Sequence, residues 1–419
     1  MRKSQIGILA VAAVATLAFT GCGSGATTGG GAGDNSIVID MWSGSEDDTT
    51  ALNEQLAIAK AENPDLDITL RTAPWGDYFT KMTTNMASGN MACISGMNSG
   101  MLSGYTAGFA ALTADDLKAA GLNEADFAPG ALEILKNKGE MYGVPFDMST
   151  MLVYYNADQL KAAAADTPKI GWTFGDFEKT AKAATKDGKQ GFGVGMGDFQ
   201  WQALPISMAG AQPVTEDGTL DLTNPDFLKA SEWYGELVTK AKVAAPVASA
   251  SDTGWGENQY SSGNAAMAVD GTWNAVGYLN NDPGFEAGMA PLPAGDKGSL
   301  GLVLGSGYGL SKECKNKDAA LKVLGSLLGE KSQDYIATSG RSYPARLASQ
   351  PLYFETIDAK YRDQVKSVFE AAFENVEGQR VSDQWSKVGT YIQPNLVSVY
   401  NGQESMAKVL ESAQQQFAK

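Results

Sequence analysis

Residues 36–42 read Ser-Ile-Val-Ile-Asp-Met-Trp, an alternating apolar run that ends in an aromatic residue and predicts a β-strand. Helical composition follows at 49–62, and Asn63-Pro64 ends it because proline cannot continue a helix. Residues 67–72 alternate as a second strand, and residues 78–88 predict a second helix. Strand, helix, strand and helix at this spacing predict a parallel sheet with crossover helices, which is the α/β class.

The same alternation returns further along the chain and indicates more than one sheet. Thr173 predicts a helix N-cap, with Asp176 three residues later as its capping-box partner. Asp217-Gly218 predicts a hairpin turn, and Pro225 opens a long helix at its first turn. We expect strands at 151–156, 191–195, 265–270 and 285–290, and helices at 158–164, 225–242, 319–328, 361–375, 382–400 and 405–417.

The N-terminus has the three-part arrangement of a secretory signal, with Arg2 and Lys3 before an apolar run at 6–19. That run is too short to cross roughly 30 Å of hydrocarbon as a helix. Phe-Thr-Gly-Cys at 19–22 resembles a bacterial lipobox, which predicts a signal peptide at 1–21 and a lipid on Cys22. The alternative is an ordinary secretory signal with an incidental cysteine.

Residues 22–36 are rich in glycine and predict a flexible tether. With a lipid on Cys22, this tether would hold an extracytoplasmic protein at the cell membrane. Beyond the signal, the sequence has no apolar run of membrane-spanning length.

Composition excludes several classes of function. The chain has 419 residues, a net charge of −16 and no histidine. Such an acidic balance argues against nucleic acid as a partner, since phosphate binding depends on clustered lysine and arginine. Without histidine there is no Ser-His-Asp or Cys-His catalysis and no His-rich zinc site. We therefore expect neither metal nor cofactor.

Cys93 and Cys314 remain once Cys22 carries a lipid. They could form one disulfide outside the cell. Two separate buried thiols are the preferred interpretation, because cysteine commonly packs as a small hydrophobic residue.

Several short stretches, in order, resemble the extracellular solute-binding proteins of family 1, the sugar-binding lipoproteins of ABC importers. Each stretch is short, and the match is carried by their order and spacing. The stretches are Trp-Gly-Asp-Tyr-Phe at 75–79, Ala-Ser-Gly at 87–89, Tyr-Gly-Val-Pro-Phe-Asp at 142–147, Tyr-Tyr-Asn at 154–156, Trp-Thr-Phe-Gly-Asp-Phe at 172–177, Gly-Asn-Ala-Ala-Met at 263–267, Gly-Thr-Trp at 271–273, Pro-Leu-Pro at 291–293 and Gly-Arg-Ser-Tyr-Pro-Ala-Arg at 340–346.

The resemblance covers residues 37–419 and implies two α/β lobes joined by crossing segments, with a ligand between them. It implies a first lobe at 37–146 and 303–350 and a second at 147–302 and 351–419. It also implies an ABC permease as partner, and we expect a monomer. Gly305 lies near a crossing, where glycine suits a hinge or a close approach of two backbones.

A neutral sugar would need flat aromatic side chains against its C–H faces. Trp273 is the first candidate for stacking, with packing between the lobes as the alternative. Large aromatic side chains also commonly fill cores, so the other candidates are balanced between the two roles. These others stand at the ends of predicted elements and are Trp42, Trp75, Trp201 and Trp255.

A sugar's hydroxyl groups would also need fixed polar partners. Glu46 could accept hydrogen bonds from hydroxyls or merely favour the start of the following helix. Asp147 and Asp270 adjoin the strongest motifs, and we expect a polar ligand contact from each, as from Asn98. Arg341 could donate a bidentate pair of hydrogen bonds to a ligand or form an interlobe salt bridge.

Three functions therefore compete. The leading hypothesis is a receptor for a mono- or oligosaccharide that delivers its ligand to an ABC permease and makes or breaks no bond. The second is an extracellular glycoside hydrolase, because a pair of carboxyl groups suffices for that chemistry. The third keeps the receptor but gives it a peptide or another polar solute.

Overall fold

The computed structural model describes residues 35–280 and 284–418. Its strands are β1 (Ser36–Trp42), β2 (Asp67–Ala73), β3 (Ile94–Asn98), β4 (Lys136–Asn137), β5 (Glu140–Met141), β6 (Val144–Pro145), β7 (Met151–Asn156), β8 (Met267–Gly271), β9 (Ala287–Pro291), β10 (Gly301–Val303), β11 (Ser306–Leu310) and β12 (Val376–Gly378).

Helices alternate with these strands and dominate the C-terminal part. They are α1 (Glu46–Glu62), α2 (Trp75–Ser88), α3 (Ala114–Ala119), α4 (Ala157–Ala162), α5 (Phe174–Ala184), α6 (Asp198–Ala209), α7 (Pro225–Thr239), α8 (Trp255–Ser261), α9 (Ala275–Asn280), α10 (Lys317–Leu328), α11 (Glu330–Thr338), α12 (Gln350–Glu355), α13 (Arg362–Glu374), α14 (Trp385–Tyr400) and α15 (Met406–Phe417).

The first sheet has the order β2-β1-β3-β11-β6. β1 pairs parallel to β2 and to β3, as the strand–helix–strand spacing predicts. β11 joins much later in the chain and pairs antiparallel to both β3 and β6. Because parallel strands share an orientation, the C-terminal ends of β1, β2 and β3 meet at one edge of this sheet.

The second sheet has the order β8-β7-β9, and all its strands are antiparallel. Every residue of β7 is buried, because the sheet is covered on both faces. Met151, Val153 and Tyr155 belong to one hydrophobic cluster, whereas Leu152 and Tyr154 belong to another. The two alternating faces of one strand thus contribute to two separate cores.

A third cluster surrounds the first sheet and contains Ile39, Met97, Val144 and Tyr308. It draws on residues 37–148 and 308–345, whereas the two clusters of the second sheet draw on residues 151–304 and 337–413. This separation supports lobes at 37–146 with 303–350 and at 147–302 with 351–419, and those boundaries stay a prediction.

Local sequence signals predict about half of the strands and helices to within a few residues. The capping box of Thr173 and Asp176 is present, and Pro225 is the first residue of α7. The predicted strand at 191–195 is wrong. That segment forms one isolated bridge, Gly193 to Ala268, and a Cβ on Gly191 would lie 1.8 Å from the Ala181 carbonyl oxygen.

The preferred interpretation of the cysteines as separate thiols is also wrong. Cys93 and Cys314 form a disulfide, with their Cα atoms 4.6 Å apart. The bond joins the residue before β3 to the loop after β11, and these two strands are neighbours in the first sheet. Strand pairing therefore brings together two cysteines that lie 221 residues apart in sequence.

The predicted signal peptide at 1–21, the lipid on Cys22 and most of the tether at 22–36 lie outside the described residues. Among the helices of residues 35–280 and 284–418, none combines the length and the apolar character needed to cross a membrane.

Candidate functional site

Two tryptophans lie at the C-terminal edge of the first sheet. Trp42 is the last residue of β1, and Trp75 is the first residue of α2. Their rings meet edge to face at 4.9 Å, and Trp42 also contacts the ring of Tyr78 at 5.4 Å. Trp75 remains 40% exposed. The first lobe thus exposes the Trp75 ring, which packs on Trp42, and Trp42 in turn packs on Tyr78.

The acidic run at 46–48 serves mainly to start α1. Ser45 caps the helix by accepting a hydrogen bond from the backbone N–H of Asp48, and the Asp48 carboxylate accepts one from the Gly44 N–H. Glu46 is exposed in the first turn, where a negative charge suits the helix dipole. This arrangement favours the helix-start alternative for Glu46 and identifies Asp48 as a residue that the sequence analysis missed.

Arg341 lies beneath this helix start with its side chain only 9% exposed. Its Nε donates to Asp48 Oδ1 at 2.7 Å, and its guanidinium lies 4.9 Å from the centre of the Phe146 ring. Pairing with Asp48 compensates for burial of the charge. Arg341 forms a salt bridge, but its partner Asp48 lies in α1 of the same lobe, so this pair is not the predicted interlobe salt bridge.

Three predicted ligand contacts meet where the chain crosses between the lobes. Asp147 Oδ1 accepts a hydrogen bond from the Ser306 N–H at 2.6 Å. Asn98 Nδ2 donates to Ser306 Oγ at 3.3 Å and, more weakly, to the Gly305 carbonyl at 3.4 Å. A Cβ on Gly305 would lie 2.8 Å from the Asp147 carbonyl oxygen, so this crossing needs glycine.

Asp147 is a buried carboxyl group at this crossing. Burial raises its pKa to about 7, against the opposing effects of the Ser306 N–H, the Arg341 charge and the Ser342 hydroxyl. Asp147 and Pro344 also form a backbone bridge, so all three crossing segments meet at this residue. Asn98, Asp147 and Gly305 thus make contacts that connect the crossing segments to one another.

The second lobe contributes a buried carboxyl group at the end of β8. Asp270 Oδ2 accepts hydrogen bonds from Asn274 Nδ2 at 2.6 Å and from the Tyr278 hydroxyl at 2.7 Å. Its Oδ1 accepts from the Gly271 N–H at 2.8 Å and from Gln200 Nε2 at 3.4 Å. Burial raises the pKa of Asp270. These four donors fix the orientation of the buried Asp270 carboxyl group.

Glu257 was not predicted and lies close enough to Asp270 for the two charges to interact. Burial, followed by the negative charge of Asp270, raises the pKa of Glu257 to about 8. Its Oε2 is buried and has no hydrogen-bond partner among the described residues. No sequence motif marks Glu257, which is one of 48 acidic residues in the chain and lies in the polar helix α8.

The three tryptophans predicted in the second lobe differ in exposure. Trp273, just after β8, is partly exposed, and its ring centre lies 6.4 Å from that of Phe199. Trp255 is also partly exposed, and its Nε1 has no partner among the described residues. Trp201 is only 1% exposed and packs on Phe227, which favours the packing alternative for this residue.

The start of α6 was missed entirely. Asp198 Oδ2 accepts a hydrogen bond from Trp385 Nε1 at 2.9 Å, and burial raises the pKa of Asp198 to about 6. Phe199 and Gln200 follow and reach towards Gly100 and Asp270, respectively. An aspartate directly after Gly195-Met196-Gly197 is a signal for a helix start that could have revealed this segment.

A cavity of about 330 Å³ lies elsewhere in the first lobe, between α2 and the strands. Asp40 and Arg71 form an ion pair in its wall. Neither Trp42 nor Trp75 lines this cavity, and we do not assign the ligand to it. Within residues 35–280 and 284–418, no group of three or more acidic or cysteine side chains could hold a metal ion.

Two lobes with separate cores that meet at three crossing segments are the arrangement of a binding protein of the periplasmic type. The family model for the bacterial extracellular solute-binding proteins matches residues 43–334. The chain belongs to that family, and the predicted two-lobed fold is confirmed.

Individual relatives are distant. A putative binding protein of Brucella abortus is 24% identical over 281 residues, which cover 63% of this chain and 65% of that protein. The match therefore spans just under two thirds of that relative's length. A maltooligosaccharide ABC transporter solute-binding lipoprotein of Streptococcus pneumoniae is 23% identical over 361 residues, covering 81% of this chain and 79% of the relative.

Among solved structures, an ABC substrate-binding protein of Listeria monocytogenes in complex with cycloalternan matches with a TM-score of 0.80. It is 23% identical, and the alignment covers 91% of this chain and 97% of that one. At this level of identity the match establishes the fold.

Proposed function

We propose that this protein captures an oligosaccharide between its two lobes and delivers it to the permease of an ABC importer. The observation that carries the proposal is the set of partly exposed tryptophans at element ends, Trp75 on the first lobe and Trp255 and Trp273 on the second, which we propose line the cleft. Such flat surfaces suit the C–H faces of sugar rings. Similarity to the maltooligosaccharide lipoprotein and to the cycloalternan complex supports the same ligand class.

Hydrogen bonding supports a binding role over a hydrolytic one. A glycosidase needs two carboxyl groups that are free to exchange protons with the substrate. Asp147 is engaged by the backbone of a crossing segment, and Asp270 already has four donors. These carboxyl groups shape the hinge and the cleft wall, so we propose that no bond is made or broken.

We further propose that the protein acts as a monomer, held at the outer face of the cell membrane by a lipid on Cys22. The lipoprotein name of the pneumococcal relative supports the anchor. Replacing Cys22 by serine should release the protein into the medium, whereas replacing Ser24 by alanine should not. Retention of the Cys22→Ser protein on the membrane would contradict the anchor.

Calorimetry with maltotriose, maltoheptaose, cycloalternan and, as non-sugar solutes, a dipeptide and glutamate tests the ligand class. We expect binding by at least one oligosaccharide and by neither of the other solutes. Ligand binding to the native state should also raise the melting temperature. Chromatography of the bound sugar after long incubation tests hydrolysis, and shorter products would contradict the receptor.

A further inference from the structure

The two lobes touch directly where Gly100 of the first faces Phe199 of the second. Gly100 follows the end of β3, and Phe199 is the second residue of α6. A Cβ on Gly100 would lie 3.1 Å from Phe199 Cζ and 2.9 Å from Gln379 Oε1. The glycine therefore lets the aromatic ring come against the backbone of the other lobe.

The backbone itself does not require glycine at this position. The φ angle of Gly100 is not positive, so an L-residue can adopt it without strain. The need for a small residue comes from the facing side chains of the second lobe. A side chain at position 100 would thus destabilise the contact between the lobes and leave the local backbone conformation unchanged.

Phe199 is held from both sides by its neighbours in the chain. Asp198 accepts hydrogen bonds from Trp385 Nε1 at 2.9 Å and from Gln202 Nε2 at 2.6 Å. Gln200 donates to Asp270 at 3.4 Å. The Phe199 ring lies 6.4 Å from that of Trp273, in a T-shaped arrangement. The ring that touches the first lobe is therefore in contact with the foremost candidate for ligand stacking.

Two polar contacts lie on the same side of the interface. The Ser103 hydroxyl donates to the Ser382 carbonyl at 3.0 Å, and Lys138 Nζ lies 3.0 Å from Asp383 Oδ2. Both side chains of that ion pair are more than 60% exposed, so the pair adds little to stability. The contact of the half-buried Phe199 ring with the buried Gly100 is the stronger candidate for holding the lobes together.

We propose that Phe199 is a positioning residue for lobe closure: when the second lobe closes on the first, the Phe199 ring packs against the backbone of Gly100. The inference rests on the proposed function, because it assumes that closure retains a ligand. A contact that favours the closed form, in the ligand-free protein as in the complex, shifts the open–closed equilibrium towards closure and so sets how tightly the ligand is held. Phe199 also links that contact to Trp273.

The test substitutes Gly100 by valine in the full chain, purified in detergent. Overpacking the interface should raise the Kd for the best-binding oligosaccharide of the panel about tenfold, mainly through faster dissociation. Gly104→Val is the matched control, because a Cβ on Gly104 meets no atom within 4 Å. Gly100→Ala is the milder variant, with the same direction of change if the valine variant folds poorly.

A double-mutant cycle isolates the contact from any direct effect of Phe199 on the ligand. Gly100→Val should weaken binding in the Phe199 background and have little effect in the Phe199→Ala background. An equal effect in both backgrounds, or unchanged binding by Gly100→Val and Gly100→Ala, would overturn the proposal.

Hydrogen exchange of the ligand-free protein separates this inference from the proposed function. Gly100→Val should speed exchange in peptides covering 98–104 and 197–202, whereas Gly104→Val should leave the second of these unchanged. If no sugar binds the wild type but this exchange pattern appears, the sugar receptor fails and the closure contact stands. If sugar binds and exchange is unaltered at 197–202, the closure contact fails and the receptor stands.

Discussion

Trp273 is the side chain on which ligand affinity should depend most. Its ring is partly exposed at the end of β8 and is supported by Phe199. We expect Trp273→Ala to raise the Kd for the bound oligosaccharide by about 10- to 100-fold, because a stacked indole is among the largest contributors to a binding surface. Calorimetry measures this change.

Trp233→Ala is the matched control for the loss of an indole. Trp233 packs on Phe174 and Phe177 within the second lobe, and its Nε1 donates to Glu178. This variant should lower the melting temperature and leave the Kd within about twofold of the wild type, since its contacts lie in the core. Equal loss of affinity in both variants would mean that Trp273 acts only through stability.

Asp147 should make folding stability depend on pH. Its pKa is about 7 in the folded protein, against roughly 3.9 in an unfolded chain. Between these values the folded state holds a proton that the unfolded state has released. The stability contributed by this group is therefore complete below about pH 4 and is lost as the pH rises through about 7.

The Asp147→Asn variant isolates that effect. Asparagine keeps an oxygen that can accept from the Ser306 N–H, but it does not titrate. Urea unfolding should show the wild type losing stability relative to the variant, on the order of a few kcal/mol, as the pH rises from 4 to 7. Asp198 and Glu257 titrate in both proteins, so their contributions to the pH dependence cancel from the difference in stability. A difference independent of pH would contradict the buried, protonated Asp147.

Site residues were predictable only where a short motif marks them. Asp147, Asp270 and Trp273 stand in or beside the family motifs, and the structure has Asp147 at the crossing and the other two at the end of β8. Glu257 and Phe199 have no such motif. Their roles arise from packing between elements distant in sequence, and a local pattern cannot encode that.

Among the helices, α10 shows how a neighbouring backbone can oppose intrinsic propensity. A Cβ on Gly325 would lie 1.9 Å from the Ala120 carbonyl oxygen, just after α3. Gly325→Ala should therefore destabilise the protein by about 1–3 kcal/mol, although alanine is the better helix former. Gly389→Ala in α14, where no atom lies within 4 Å, should instead stabilise it by about 0.5–1 kcal/mol.

Urea unfolding of both variants measures the two free energies. Opposite signs are the expected outcome, and stabilisation by both substitutions would show that α10 can move away from α3. The comparison uses two helix-interior glycines, so intrinsic propensity is matched and only the surroundings differ.

Elements with strong local signals were predictable, and those that depend on tertiary contacts were not. β1, β2, α5 and α7 follow from alternation, a capping box and an N-terminal proline. α6 was missed because Gly197 and Pro205, which usually interrupt helices, stand before and within it. A local sequence pattern predicts a helix or strand when the residues of that element, and not its tertiary contacts, determine its conformation.

At the scale of the molecule, the Cys93–Cys314 disulfide closes a long loop of the chain. Closing a loop of 221 residues should stabilise the fold by about 3–5 kcal/mol. Reductant should therefore lower the urea midpoint of the wild type. The Cys93→Ser/Cys314→Ser variant should unfold at that lower midpoint and be insensitive to reductant. Equal midpoints for both proteins without reductant would contradict a stabilising bond.

The placement of β11 delays the completion of the first sheet during synthesis of the chain. β11 fills the position between β3 and β6, yet it follows β3 by about 200 residues. At about 5–20 residues per second, that interval lasts roughly 10–40 s. During it β3 presents an unpaired edge, the kind of surface that invites association with other chains. The first sheet therefore stays incomplete until Ser306–Leu310 emerges, after most of the second lobe has been synthesised.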